Sequence, residues 1–277
     1  MDAGIQLFNQ GRLDEAVLAF EAEIKQNDSS DVWRWLGSTH AENDEDQIAI
    51  MCLERALQRD DHNLEALLDL GVSYTNELFQ EEATKYLELW MQKHPVYADI
   101  PQKVAQVVAQ GGSFRNNHER IVAMFQAALT VDSEDPDLYT VLGVIFNLSR
   151  DYESAESAFQ EALKRDPTNY SLWNKLGATQ ANSARVDGSK AAVKAYRRAI
   201  ELKPTYTRAW VNMGISYSNQ ALYDLAAKYY LKSLSLNASA KHVWAYLRIA
   251  LQCMERSDLI PFVQSRDLAA FKANFTF

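Results

Sequence analysis

The sequence predicts an all-α fold: a right-handed superhelix of stacked helical hairpins, an α-solenoid. Two repeat sets joined by a distorted hinge repeat are expected, with closing helices at the C-terminal end. Three observations carry this. Gly37 and Gly71 are 34 residues apart, as are Gly143 and Gly177, and Gly177 to Gly214 is 37, a repeat with three extra residues. Around each glycine, apolar residues and alanines recur at helical offsets, as in stacked hairpins. No run of about 18 apolar residues occurs, so the helices are not membrane spans.

The bulk numbers agree with a folded binding protein. Of 277 residues, 47% are hydrophobic and 23% charged, ample for a continuous core. With 28 Lys plus Arg against 37 Asp plus Glu the formal charge is −9, which repels a phosphate backbone and excludes nucleic acid as a partner. Direct membrane insertion is not expected either, and residues 1–10 lack the basic start and apolar stretch of a signal peptide. Cys52 and Cys253 are too few and too distant in sequence for a disulfide framework or zinc site, and both read as helix-packing residues in a reducing compartment.

Each glycine sits in a pattern with a large apolar residue four before it, an apolar residue just before it, then Ala, aromatic, Ala and Pro downstream. The fullest copy is Tyr139, Leu142, Gly143, Phe146, Ala155, Phe159, Ala162 and Pro167. The next has Trp173, Leu176, Gly177, Ala192, Tyr196, Ala199 and Pro204, with its insertion in the loop 183–189. Others are Trp33, Leu36, Gly37, Ala49, Leu53, Ala56; Leu67, Leu70, Gly71, Tyr74, Ala83, Leu87, Pro95; and Trp210, Met213, Gly214, Tyr217, Ala226, Tyr230. A partial first copy keeps Gly4, Ala16 and Phe20, with Glu23 in place of the second Ala, so the chain is expected to begin inside a longer protein. Length and pattern resemble the tetratricopeptide repeat, whose hairpins stack around an inner binding face.

Between Pro95 and Asp135 the glycine landmarks vanish, and Gly111, Gly112, Asn116 and Asn117 interrupt what should be a hairpin. The expected organisation is an N-terminal repeat set over 1–95, a distorted repeat or hinge over 96–134, a C-terminal set over 135–240 and closing helices over 241–277. In the last segment, His242 to Met254 and Ser265 to Asn274 are apolar at helical spacing.

Helical phase selects the candidate site. At about 100° per residue, offsets −4, −1, 0 and +3 from the glycine form the packing side, and −6, −3, −2, +4 and +5 form a stripe facing away from it. On that stripe lie Thr75, Asn76, Asn147, Asn174, Lys175, Asn182, Arg208, Asn212, Ser218 and Asn219, six of them asparagine. Asn is a mediocre helix former, so its recurrence needs a reason beyond packing. Its amide offers donors and acceptors that suit the backbone of an extended peptide, and cations among amides suit a C-terminal carboxylate. For any one of these residues the bland alternatives stand: a solvated helix face, a C-cap at +5, or a surface salt bridge for Lys175 and Arg208. Glu77, just past Asn76, offers a partner for a basic ligand side chain.

No catalytic constellation, cofactor motif or metal site emerges. His40, His62, His94, His118 and His242 are scattered and read as surface or loop residues, and Gly111-Gly112 lacks the Lys of a phosphate loop. An enzyme is not expected.

Several segments resemble the C-terminal repeat domain of the peroxin 5 family, receptors for the type-1 peroxisomal targeting signal. They are Val72-Ser73-Tyr74-Thr75-Asn76-Glu77, Leu142 to Ser149, Leu172 to Thr179, Ala195 to Ala199, Asn212 to Ser216, then Trp244, Leu247-Arg248, Ser257-Asp258 and Arg266-Asp267-Leu268. The resemblance covers nearly the whole chain. It implies a cytosolic receptor that binds proteins ending in a Ser-Lys-Leu-like tripeptide and cycles to peroxisomes or glycosomes. The family holds the signal between its two repeat sets. By that resemblance Asn76, Asn174, Asn182, Asn212 and Asn219 contact the peptide backbone and carboxylate, Arg208 supports the carboxylate, and Val72, Thr75 and Glu77 shape side-chain pockets. The implied partners are C-terminal targeting peptides of cargo proteins and, through an N-terminal region not contained here, the peroxisomal import machinery. A monomer is expected. Two alternatives remain open: a chaperone-docking repeat domain that clamps an acidic C-terminal peptide, and a passive scaffold that uses its convex face.

Overall fold

A computed structural model of the chain describes every residue except 110, 111, 184 and 186, and the side chains of 107 and 108 are also outside the description. Among the described residues the secondary structure is helical, without strands. The first three hairpins are α1 (Asp2–Asn9) with α2 (Leu13–Ile24), α3 (Ser30–Glu42) with α4 (Asp46–Arg59), and α5 (Leu64–Asn76) with α6 (Gln80–Lys93). Next come α7 (Ile100–Ala109) and α8 (Asn117–Leu129), then the hairpin of α9 (Pro136–Leu148) and α10 (Tyr152–Arg165). Two further hairpins are α11 (Tyr170–Asn182) with α12 (Gly188–Leu202) and α13 (Thr207–Asn219) with α14 (Tyr223–Leu236). The chain ends in α15 (Lys241–Cys253), α16 (Ile260–Ser265) and α17 (Leu268–Phe271).

Three of the first helices, α5, α9 and α11, are capped by a short polar side chain. Asn63, Asp135 and Asn169, each eight residues before its glycine, accept from the backbone N–H of Ala66, Asp137 and Leu172. Pro136 then occupies the first turn of α9, where its missing N–H costs nothing.

The recurring glycine is a contact point. A Cβ at Gly4, Gly143, Gly177 or Gly214 would come within 2.5–2.6 Å of a ring carbon of Phe20, Phe159, Tyr196 or Tyr230 in the second helix. At Gly37 and Gly71 the atom met is from Leu53 or Leu87, at 2.7 and 2.6 Å. All these partners are buried. Offset +2 is also buried, although polar: Thr39, Ser73, Thr179 and Ser216 sit there. Thr39 and Thr179 satisfy their hydroxyls by donating to the carbonyls of Trp35 and Lys175 one turn back.

A second regularity lies seven residues past the glycine. Gly11, Asp44, Leu78, Arg150 and Ala221 all have φ between 58° and 73°. In each turn the following N–H reaches back five residues, as in Glu45 to His40 at 2.9 Å, Phe79 to Tyr74 at 2.9 Å and Asp151 to Phe146 at 2.9 Å. These are Schellman closures of the first helix. Four of the five residues are not glycine, which otherwise takes this conformation most cheaply.

The chain forms two compact units, 1–167 and 168–277. Within the first, α9 packs against α5 and α6, and Gln80 Nε2 donates to the Leu148 carbonyl at 2.6 Å. Around α7 and α8, Trp90, His94, Tyr97 and Phe125 form an aromatic cluster, with Tyr97 donating its hydroxyl to Asp135 Oδ2 at 2.7 Å. Gly111 and parts of the insertion loop 183–189 lie outside the described residues. Asn116 caps α8 by accepting from the Glu119 N–H, and Asn117 is the first residue of that helix.

In the second unit, α15 to α17 cover the last hairpin with Trp244, Leu247, Leu259, Val263, Phe271 and Phe275 against Tyr230 and Leu231. Several residues differ from their sequence reading. Cys253 is exposed at the end of α15, beside Tyr223, whereas Cys52 is buried as expected. Burial, then the nearby Glu21, pushes the Cys52 thiol up to about 11. His94 stacks on Tyr97 rather than standing free, and His40 lies within α3, its Nδ1 2.7 Å from Glu45.

Two substitutions test these regularities by chemical denaturation. Gly143→Ala drives a methyl into the buried Phe159 ring and is expected to destabilise by about 1–3 kcal/mol, despite Ala's better helix propensity. Leu78→Gly relieves the left-handed backbone at a side chain 80% exposed and is expected to stabilise by up to about 1 kcal/mol.

Candidate functional site

Successive first helices touch side by side within each unit, α3 with α5, and α11 with α13 and α13 with α15. Residues at −3 and −2 therefore border this contact, whereas those at +5 end their helices. This explains the burial of the amides. Asn174, at −3 of α11, is only 6% exposed, and its Oδ1 accepts from Asn212 Nδ2 of the next first helix at 3.0 Å. Asn76, Asn182 and Asn219, at +5, are the last residues of α5, α11 and α13 and are exposed.

In the second unit Lys175 is half-buried, with its Nζ donating to Ser171 Oγ one turn earlier at 3.2 Å. Arg208 is half-buried in the first turn of α13. Ser218 is half-buried near the end of the same helix. The candidate residues of this unit are amides, hydroxyls and two cations; none is a carboxylate.

The first unit is different. Val72, Thr75 and Asn147 are half-buried on α5 and α9. Thr75 Oγ1 donates to the Gly71 carbonyl at 2.9 Å, which satisfies the hydroxyl. Asn76 Nδ2 donates to Asp46 Oδ1 at 3.0 Å, and Glu77 Oε2 accepts from Gln47 Nε2 at 3.1 Å. Thr75, Asn76 and Glu77 are thus held as one block at the end of α5, the last two by the start of α4.

Asp46 and Gln47 were not singled out in the sequence. Neither were Glu65, Asp69 and Asp137, which occupy −6 and −2 on the same stripe and give this unit a negative field. Ser38 Oγ donates to Asp69 Oδ2 at 2.7 Å. Asp137 is open on one side, yet its carboxyl is pushed up from the ordinary aspartate range. Loss of surrounding water is the larger cause, followed by the charges of Asp135, Glu65, Asp166 and Asp69. A cation brought to this patch relieves that repulsion. The stripe rule selected these carboxylates as readily as the amides, so the signal was present.

Among the described residues no cluster of His, Cys, Asp and Glu has metal-binding geometry, and no helix is long and apolar enough to cross a membrane.

Comparison with known proteins follows the same lines. Models described as tetratricopeptide repeat match residues 1–50, 116–177 and 207–239. The "Peroxisomal targeting signal 1 receptor" of Dictyostelium discoideum is 39% identical over 283 aligned positions, covering 100% of this chain and 43% of that protein. The "Peroxisome biogenesis protein 5" of Arabidopsis thaliana is 47% identical over 162, covering 58% of this chain and 21% of its own length. The "Peroxisomal targeting signal receptor" of Candida albicans is 33% identical, covering 100% of this chain and 50% of that one. The chain thus spans half or less of these relatives. Repeat signature, glycine contacts and whole-length similarity converge: the chain belongs to the tetratricopeptide-repeat family and, within it, is a homologue of the peroxin 5 targeting-signal receptors.

Proposed function

We propose that this chain is a cargo-binding receptor domain, not an enzyme, that grips the C-terminal Ser-Lys-Leu-like signal of proteins bound for peroxisomes or glycosomes. The observation that carries the reading is the set of amides and cations on α11 and α13, with Asn174 and Asn212 already paired. A carboxylate needs donors, and this unit offers the NH2 groups of Asn174, Asn182, Asn212 and Asn219 with the fixed charges of Lys175 and Arg208. The first unit supplies complementary chemistry. Its acidic residues, with Glu77, suit a basic side chain such as the penultimate Lys of the signal, and Val72 with Thr75 offers apolar contact. Asn76 and Asn147 supply amides for the backbone.

The same reading assigns 96–134 to a hinge between repeat sets 1–95 and 135–240, with 241–277 closing the array. It places the protein in the cytosol as a monomer that cycles to the organelle membrane and meets the import machinery there. Homologues named as targeting-signal receptors support it.

The test is a titration with a fluorescent peptide ending in Ser-Lys-Leu, with a free carboxylate or as the C-terminal amide. The free acid is expected to bind, and the amide to bind at least tenfold more weakly. Asn212→Ala is expected to weaken the acid by about 1–3 kcal/mol, because it strands a buried polar partner. Equal binding of acid and amide, or preference for an acidic chaperone-tail peptide, overturns the assignment.

A further inference from the structure

Asn76 ends its helix and is exposed, so nothing in α5 fixes which end of its amide faces outward. The constraint comes from the preceding hairpin. Asp46 lies in the first turn of α4, is only 7% exposed, and takes the Asn76 Nδ2–H at 3.0 Å. An ionised carboxylate accepts hydrogen bonds and donates none, so only the NH2 end of Asn76 can face it. The next residue, Gln47, holds Glu77 in the same way. Two consecutive residues at the start of one helix therefore hold two consecutive residues at the end of another.

We propose that Asp46 is a positioning residue for peptide recognition. It sets the polarity of the Asn76 amide, turning Oδ1 towards the ligand so that position 76 accepts a peptide N–H instead of donating to a carbonyl. This rests on the receptor reading above. The Asn174–Asn212 pair is a contrast: two amides pair equally well either way round, so no fixed charge dictates their sense. Position 76 is one-way because its partner is a carboxylate. An Asn in place of Asp46 keeps a partner but lets the amide turn over, and an Ala removes the partner.

The experiment titrates a Ser-Lys-Leu-ending peptide into the wild-type chain, Asp46→Ala, Asp46→Asn, Asn76→Ala and the double variant Asp46→Ala/Asn76→Ala. Asp46→Ala is expected to weaken binding about tenfold and Asp46→Asn by less, with the double variant no weaker than Asn76→Ala alone. In the ligand-free 15N spectrum, the Asn76 side-chain NH2 pair, identified by its loss in Asn76→Ala, is expected to shift in Asp46→Ala. Wild-type affinity in Asp46→Ala overturns the proposal. So does an equal loss from that change in the Asn76→Ala background, which marks a general structural effect. A wild-type chain that ignores the peptide sinks the receptor reading instead; the NH2 resonance then decides the Asp46 pairing alone, and an unmoved resonance overturns it.

Discussion

In every repeat that keeps its glycine, a buried side chain of the second helix lies directly over the Cα of the first, closer than any Cβ could tolerate. That approach sets the distance between the two helices and also the rotation of the first about its own axis, since the bare position must face the partner. Once the rotation is common to all copies, a given offset points the same way in each hairpin. Side chains far apart in sequence can then fall on one line. The arrangement of Asn174 beside Asn212 depends on glycine contacts at 177 and 214 that neither amide touches.

The two units divide their chemistry. Carboxylates gather on the first, where the charges of Asp135, Glu65, Asp166 and Asp69 act on Asp137, whereas the second presents amides with Lys175 and Arg208. The net charge of −9 therefore averages over two different local fields, and each unit attracts the ligand group of opposite sign.

What was legible in the sequence followed from periodicity. Glycine spacing announced the hairpins, and phase arithmetic separated Leu36, Leu70, Leu142, Leu176 and Met213, all buried, from the polar stripe. Three features stayed hidden for distinct reasons. The left-handed turn residues share no side chain, since the conformation is held by backbone hydrogen bonds. The buried hydroxyls of Thr39 and Thr179 at +2 look like surface residues until their bonds to the preceding turn are seen. Asp46 escaped notice because phase orders residues along one helix and says nothing of the neighbour that meets its end. The carboxylates at −6 and −2 are as readable from phase as the amides. Nothing in the pattern around Cys253 distinguished an exposed position on α15 from a buried one.

The turns have a practical corollary. Asp44, Leu78, Arg150 and Ala221 point into solvent while their backbones are clamped by bonds that ignore side-chain identity. A dye or spin label attached at any of them would ride rigidly on its hairpin without entering the core, so distances between pairs of labels would report how the array breathes.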